Sequence, residues 1–198
     1  MENLIEQYKN KEKAIKSRIS EFKALPESLY FKEFLFCLLT PQSKAKTCWE
    51  ATELIYGKKL NQNEIADILK TRTRFHNNKS HYVLEAEKSW NIIKNKLNDF
   101  NVFELRNFIE ANVKGYGLKE AAHFLRNIGK SNNKIAILDR HILRNMKALR
   151  VIENDKIKSK KDYFDKEKKF IEFSEKIGIP ADELDLLFWS NENGEIFK

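Results

Sequence analysis

Cysteine, proline, glycine and long apolar runs are all scarce in this 198-residue chain, and each scarcity excludes something. Two cysteines, Cys37 and Cys48, are too few for a disulfide scaffold, a four-cysteine iron–sulfur cluster or a structural zinc site. Their apolar surroundings make them small buried side chains of a reducing compartment. Six glycines and three prolines rule out a collagen or a low-complexity linker and disfavour a turn-rich sandwich. The longest unbroken apolar run, Phe34 to Leu39, is too short to span a bilayer. The opening MENLIEQYKNKEK has no apolar stretch of a secretion signal. A soluble, intracellular protein without membrane association is expected.

What is abundant is charge. One third of the residues are charged and the net charge is +8, unevenly spread. Residues 113–170 hold sixteen Lys and Arg against seven Asp and Glu, whereas residues 171–198 hold two against seven. A basic middle segment suits a polyanion such as nucleic acid. A solvated lysine-rich face, as in KIKSKKDYFDKEKK, explains the charge equally well.

Apolar residues recur at helical spacing over 2–23, 28–39, 43–57, 62–70, 79–97, 102–112, 118–129, 140–149, 160–178 and 181–189. Pro26 and Pro41 mark breaks, and Gly57, Gly129 and the GIP of 178–180 mark ends. The only strand-like fragment, KIAIL, is short and runs straight into an Asp-started helix. The pattern predicts an all-α bundle, as one domain or two joined lobes.

Two stretches carry chemistry. FELRNFIEAN, VKGYG and LKEAAHFLRNIG read as helix, tight glycine turn, helix, over 102–129 with the turn at 113–117. Gly115 and Gly117 would let the backbone approach a ligand closely, and the helix N-terminus that follows suits a phosphate oxygen. Many helical hairpins use such glycines only for packing. Lys119 lies in the first helical turn, where backbone N–H groups already make the site positive. That field favours the neutral amine, the nucleophilic form. Twenty residues later, AILDRHILRNM places Asp139 as the N-cap of another helix. An amine and a carboxylate at two helix starts, facing one cleft, would suit covalent amine chemistry with a developing cation. Taken alone, both residues have ordinary readings as a surface lysine and a cap.

The whole string VKGYGLKEAAHFLRNIGKSNNKIAILDRHIL resembles the helix-hairpin-helix plus Gly/Pro…Asp motif of the DNA base-excision glycosylase superfamily that includes endonuclease III. Upstream, CLLTPQSKAKTCWEATELIYG resembles that superfamily's early helix, with Gln42 at its glutamine position, and RFHNNKSHYVLEAEK resembles the segment between. Lys114 stands where the superfamily often has Pro, and cluster cysteines are absent. The ending DELDLLFWSNENGEIFK, with KEAAHFLRNIG and LDRHILR, resembles the archaeal-type 8-oxoguanine DNA glycosylase/lyases. The resemblance implies a two-lobed helical fold with the N- and C-terminal helices packed together as the second lobe. It also implies a monomer acting on double-stranded DNA containing 8-oxoguanine, with no cofactor and no catalytic metal. Lys119 would be the nucleophile, with Asp139 stabilising positive charge on the sugar. Trp189, Lys198 and Asp185 would recognise the damaged base, Lys198 through its ammonium and the chain-end carboxylate.

Other candidates have competing readings. Gln42 fills the gap left by a flipped nucleotide or merely faces solvent after Pro41. Phe75 wedges or stacks on a base, or packs in the core as most Phe do. His141 bonds backbone or phosphate, Lys114 touches phosphate or water, and Trp49 and Trp90 read as core. A non-catalytic helix-hairpin-helix DNA-binding module, or a glycosylase for another damaged or mispaired base, is the alternative. Phosphate binding alone would require neither Lys119, Asp139 nor the C-terminal Trp and Lys.

Overall fold

The computed structural model describes residues 2–198, with the backbone alone at position 193. Its regular elements are a short 3-10 turn, Glu27–Leu29, and ten α-helices. These are α1 (Glu2–Lys23), α2 (Tyr30–Leu39), α3 (Ala45–Ile55), α4 (Gln62–Lys70) and α5 (His76–Lys96), then α6 (Val102–Asn112), α7 (Leu118–Asn127), α8 (Arg140–Ala148), α9 (Lys160–Ile177) and α10 (Ala181–Asn193). Among the described residues there is no strand, so the all-α expectation holds. None of these helices is long and apolar enough to cross a membrane.

Local chemistry sets the boundaries. The Asn61 and Asn101 side chains each accept from two backbone amides, while Glu64 and Glu104 reach back to the cap backbone. Such reciprocal boxes satisfy the orphan donors that start a helix. α10 runs past the expected end at 189 because SNEN is polar without breaking a helix; Gly194, at φ 78°, is what stops it. α5 starts earlier than periodicity suggests, directly after Phe75, which sits in the left-handed region at φ 58°.

The chain divides into two compact units, one continuous, Leu25–Ile128, and one formed by Met1–Ala24 together with Gly129–Lys198. In the continuous unit, α2 is the central helix, with Phe34 to Leu39 all buried. The Phe34 ring meets Tyr116 at 4.7 Å, Phe124 at 5.3 Å and Trp90 at 5.4 Å between centroids. Burying each such Phe or Leu contributes about 1.5–3 kcal/mol. Trp49 and Trp90 are half-buried at the margin of this core and not inside it.

In the discontinuous unit, α10 is central, buried from Ala181 to Phe188 and packed against α1, α8 and α9. Acidic side chains at its start are matched with donors: Tyr8 of α1 donates its hydroxyl to Glu183, and Ser131 donates to Asp182 at 2.7 Å. KIAIL is not a strand. At its centre the backbone is bonded by side chains: the Ala136 amide donates to Glu167 Oε1 at 2.9 Å and the Ala136 carbonyl accepts from the Tyr163 hydroxyl at 2.7 Å.

Candidate active site

The KGYG turn is held by its tyrosine. Tyr116 is buried, stacks on Phe34 and donates its hydroxyl to the Phe34 carbonyl at 2.6 Å. Gly115 has φ 89°, and a Cβ there would lie 2.6 Å from the Tyr82 ring and 2.9 Å from Leu38 Cδ1. The requirement for glycine at 115 thus comes from backbone conformation and contact with α5 and α2. Gly115→Ala is expected to destabilise by about 3 kcal/mol, from left-handed strain and overpacking together. Gly117 has an ordinary φ of −109°, so Gly117→Ala is expected to cost below about 1 kcal/mol. Urea unfolding of both variants checks the contrast.

The Gly117 amide, read from the sequence as a phosphate donor, is bonded within the protein: it donates to Glu120 Oε2 at 3.2 Å. The Tyr116 amide donates to the Val113 carbonyl at 3.1 Å. A phosphate at this turn would compete with the Glu120 carboxylate. Lys114 stands out from the turn, 58% exposed, with Nζ 3.7 Å from Glu85 Oε2.

Lys119 is the second residue of α7, with its side chain 24% exposed. Its Nζ lies 2.9 Å from Glu120 Oε1. One carboxylate therefore bonds the amide before the helix and neutralises the cation that the helix end disfavours. Sequence reasoning placed Lys119 correctly at a helix start but missed Glu120, whose signal is the capping spacing of Gly117 and Glu120. Burial pushes the nearby Cys48 thiol up to about 11, which keeps it neutral. Among the described residues, no three His, Cys, Asp or Glu side chains gather as they would around a metal ion.

Gln42 and Phe75 belong to the same unit as Lys119. Both are exposed, and both are non-glycine residues in the left-handed region, at φ 53° and 58°. Phe75, 52% exposed, is therefore not a core residue.

Asp139 belongs to the other unit and caps α8. Its Oδ1 accepts from the His141 amide at 2.7 Å and the Ile142 amide at 2.8 Å, which leaves Oδ2 outside the cap. The preceding loop is fixed from two helices. Glu167 and Tyr163 of α9 bond Ala136, and Asp182 of α10 accepts from Ser131 and from the Asn133 amide at 3.1 Å. The His141 ring, whose Nδ1 is 3.4 Å from Glu192 Oε2, faces α10. Asp185 is buried on α10. Trp189 is half-buried on the same helix, and after the Gly194 turn Phe197 comes back onto it, with ring centroids 6.5 Å apart. Lys198, next along, is half-buried.

This arrangement supplies an amine at one helix start, a capping carboxylate at another, and exposed side chains on strained loops. Comparisons with known proteins identify the family of the chain. A family model described as 8-oxoguanine DNA glycosylase matches residues 15–179. A protein of Fusobacterium nucleatum named 8-oxoguanine DNA glycosylase/AP lyase is 42% identical, over 96% of this chain and 94% of that one. One of the same name from Methanocaldococcus jannaschii is 34% identical, over 98% and 97%. The crystal structure of the 8-oxoguanine DNA glycosylase of Thermotoga maritima matches with a TM-score of 0.89 at 32% identity, over 100% of this chain and 97% of that one. The M. jannaschii glycosylase/lyase, solved with a 15mer DNA containing 8-oxoguanine, matches with the same score and identity over 99% and 98%. With the hairpin lysine, the capping aspartate and these whole-length likenesses together, the chain belongs to the 8-oxoguanine DNA glycosylase family of helix-hairpin-helix proteins.

Proposed function

We propose that this protein excises 8-oxoguanine from duplex DNA and then cleaves the abasic site through a Schiff base on Lys119. The reading rests on one observation above others. An amine stands two residues past Gly117 at the start of α7, in a chain whose relatives over nearly its whole length are named glycosylase/AP lyases. The hairpin and Lys114 hold phosphate while the damaged nucleotide leaves the stack, at a cost of a few kcal/mol. Lys119 Nζ, after giving up a proton to solvent, attacks C1′ with its lone pair as the glycosidic bond breaks, and that bond's electrons leave with the base, which takes up a proton. Asp139 stabilises the positive charge that develops on the sugar. Opening of the sugar ring leaves a protonated Schiff base, which acidifies the C2′ proton. Loss of that proton expels the 3′ phosphate and nicks the strand. Gln42 fills the gap left by the nucleotide, Phe75 wedges beside it, and His141 lies along the phosphate backbone.

Borohydride trapping on duplexes carrying 8-oxoguanine, unmodified guanine or another oxidised base tests amine chemistry and substrate together. A covalent complex formed preferentially with 8-oxoguanine is expected; equal trapping on all three, or none, would refute the reading.

Base recognition is assigned to Trp189, Asp185 and Lys198. 8-Oxoguanine differs from guanine by a C8 carbonyl and a protonated N7, so donor and acceptor groups at the pocket discriminate when a mismatched ligand leaves them unpaired. Lys198→Ala is expected to lower 8-oxoguanine excision by about 10-fold or more, the effect of one lost hydrogen bond to a charged group. Cleavage at a preformed abasic site is expected to persist, because it needs Lys119 and no base. Excision kinetics on the two substrates check this.

A further inference from the structure

Lys79 is a lysine in an unusual place. It lies on the first turn of α5 and is only 4% exposed. All three of its ammonium N–H groups have acceptors: the Leu39 carbonyl at 2.8 Å, the Pro41 carbonyl at 2.9 Å and Ser43 Oγ at 2.9 Å. The first is a carbonyl at the end of α2, where the helix itself supplies no donor. The other two belong to the loop on either side of Gln42. Ser43 is fully engaged as well. Its Oγ also accepts from the Arg74 amide at 2.9 Å and donates to the Pro41 carbonyl at 3.3 Å. The Lys79 amide meanwhile donates to the Phe75 carbonyl at 2.9 Å. A second bridge, from Thr47 Oγ1 in the first turn of α3 to the Arg72 carbonyl at 2.8 Å, ties the helix that follows the Gln42 loop to the segment before Phe75.

We propose that Lys79 is a positioning residue that locks the loop bearing Gln42 to the loop bearing Phe75, making of them one rigid edge that enters the duplex and holds the lesion strand open. This inference rests on the proposed excision of 8-oxoguanine from duplex DNA. The left-handed backbone at Gln42 and Phe75 is costly for side chains with a Cβ and persists only where the surroundings over-determine it. The Lys79 and Ser43 bonds are that over-determination. A buried ammonium carries a desolvation penalty that a packed apolar side chain would avoid. What it provides that an apolar side chain cannot is three donors converging on a loop with no regular structure. Preorganised bonds of this kind let Gln42 and Phe75 reach their DNA contacts without first ordering a mobile loop.

Burial lowers the Lys79 pKa from its ordinary value to about 8. The titratable groups that act on it are Cys48 on α3 and Lys119 and Glu120 on α7. Above pH 8 the amine would lose one donor and turn a lone pair towards an acceptor, so the edge should loosen.

The test compares two reactions of the full chain: excision of 8-oxoguanine from duplex DNA, and borohydride trapping at a preformed abasic site in a single strand. The second needs Lys119 but no strand opening. Lys79→Met is expected to slow the first by about 10²-fold, the scale of a small misplacement of positioning groups, and to alter the second far less, only through loss of the like charge that faces Lys119. The fluorescence rise of 2-aminopurine placed beside the lesion, a signal of unstacking, should be lost. Ser43→Ala, which removes the shared hydroxyl and keeps the lysine, should act in the same direction and serves if Lys79→Met does not fold. In wild type the ratio of the two rates should fall as pH rises through about 8; Lys79→Arg should remove that fall. An unchanged ratio in Lys79→Met and Ser43→Ala overturns the proposal, as does an equal loss of both reactions, which would place Lys79 at the reacting amine or in general stability. Absence of duplex excision in wild type would instead refute the proposed function.

Discussion

A Lys119→Gln protein is expected to bind lesion-bearing duplex and leave it intact, with excision reduced by about 10³-fold or more, the scale seen when a nucleophile is removed. The substitution is conservative for the fold. Lys119 is partly exposed on the first turn of α7, whereas Leu118 and every residue from Ala121 to Asn127 are buried. The lost contact is the ion pair with Glu120, and a partly exposed pair of this type contributes at most about 1 kcal/mol. Glu120 would keep its bond to the Gly117 amide. Borohydride reduction should give no covalent complex, because an amide nitrogen forms no Schiff base. Undiminished trapping would move the chemistry to another amine, and mass mapping of the adduct would locate it.

Asp139→Asn should produce the second large loss, about 10²–10³-fold in single-turnover excision, comparable to deleting one electrostatic group that faces developing charge. Asn is as good a cap as Asp, and its Oδ1 can accept the same two bonds from the His141 and Ile142 amides. The melting temperature should therefore hardly move. Only the negative charge is removed. Wild-type excision by the Asn variant would leave Asp139 as a cap and nothing more.

The parts of this protein legible in the sequence are those encoded locally. Each helix shows its apolar period, and the Asn61/Glu64 and Asn101/Glu104 boxes announce their helix starts three residues apart. Lys119 and Asp139 could be picked out because each lies at a helix start beside a motif-bearing segment. What stayed illegible depends on partners distant in the chain. Lys79 sits among polar residues, HNNKSH, and reads as a solvated lysine; its acceptors are 36 to 40 residues away. Tyr116 reads as the spacer of a GxG turn, yet it is the plug that seats the turn on Phe34, 82 residues earlier. Phe75 reads from the sequence either as a base-stacking wedge or as core, and the structure shows it exposed on a left-handed backbone. KIAIL has the composition of a strand but no strand to pair with among the described residues, so side chains of α9 bond its Ala136 backbone instead.

That last arrangement bears on how the molecule is made. The residues that pin the approach to Asp139 come at 163, 167 and 182, and its unit also requires α1 from the very start of the chain. The unit holding Lys119 is one uninterrupted stretch, Leu25–Ile128. During synthesis, at about 5–20 residues per second, the unit with Lys119 can collapse while the ribosome is still translating the rest of the other. α1 must wait, unpaired, until α10 emerges. The two units thus differ in when they can close: one as soon as its uninterrupted stretch has emerged, the other only after α10 has followed α1 out of the ribosome.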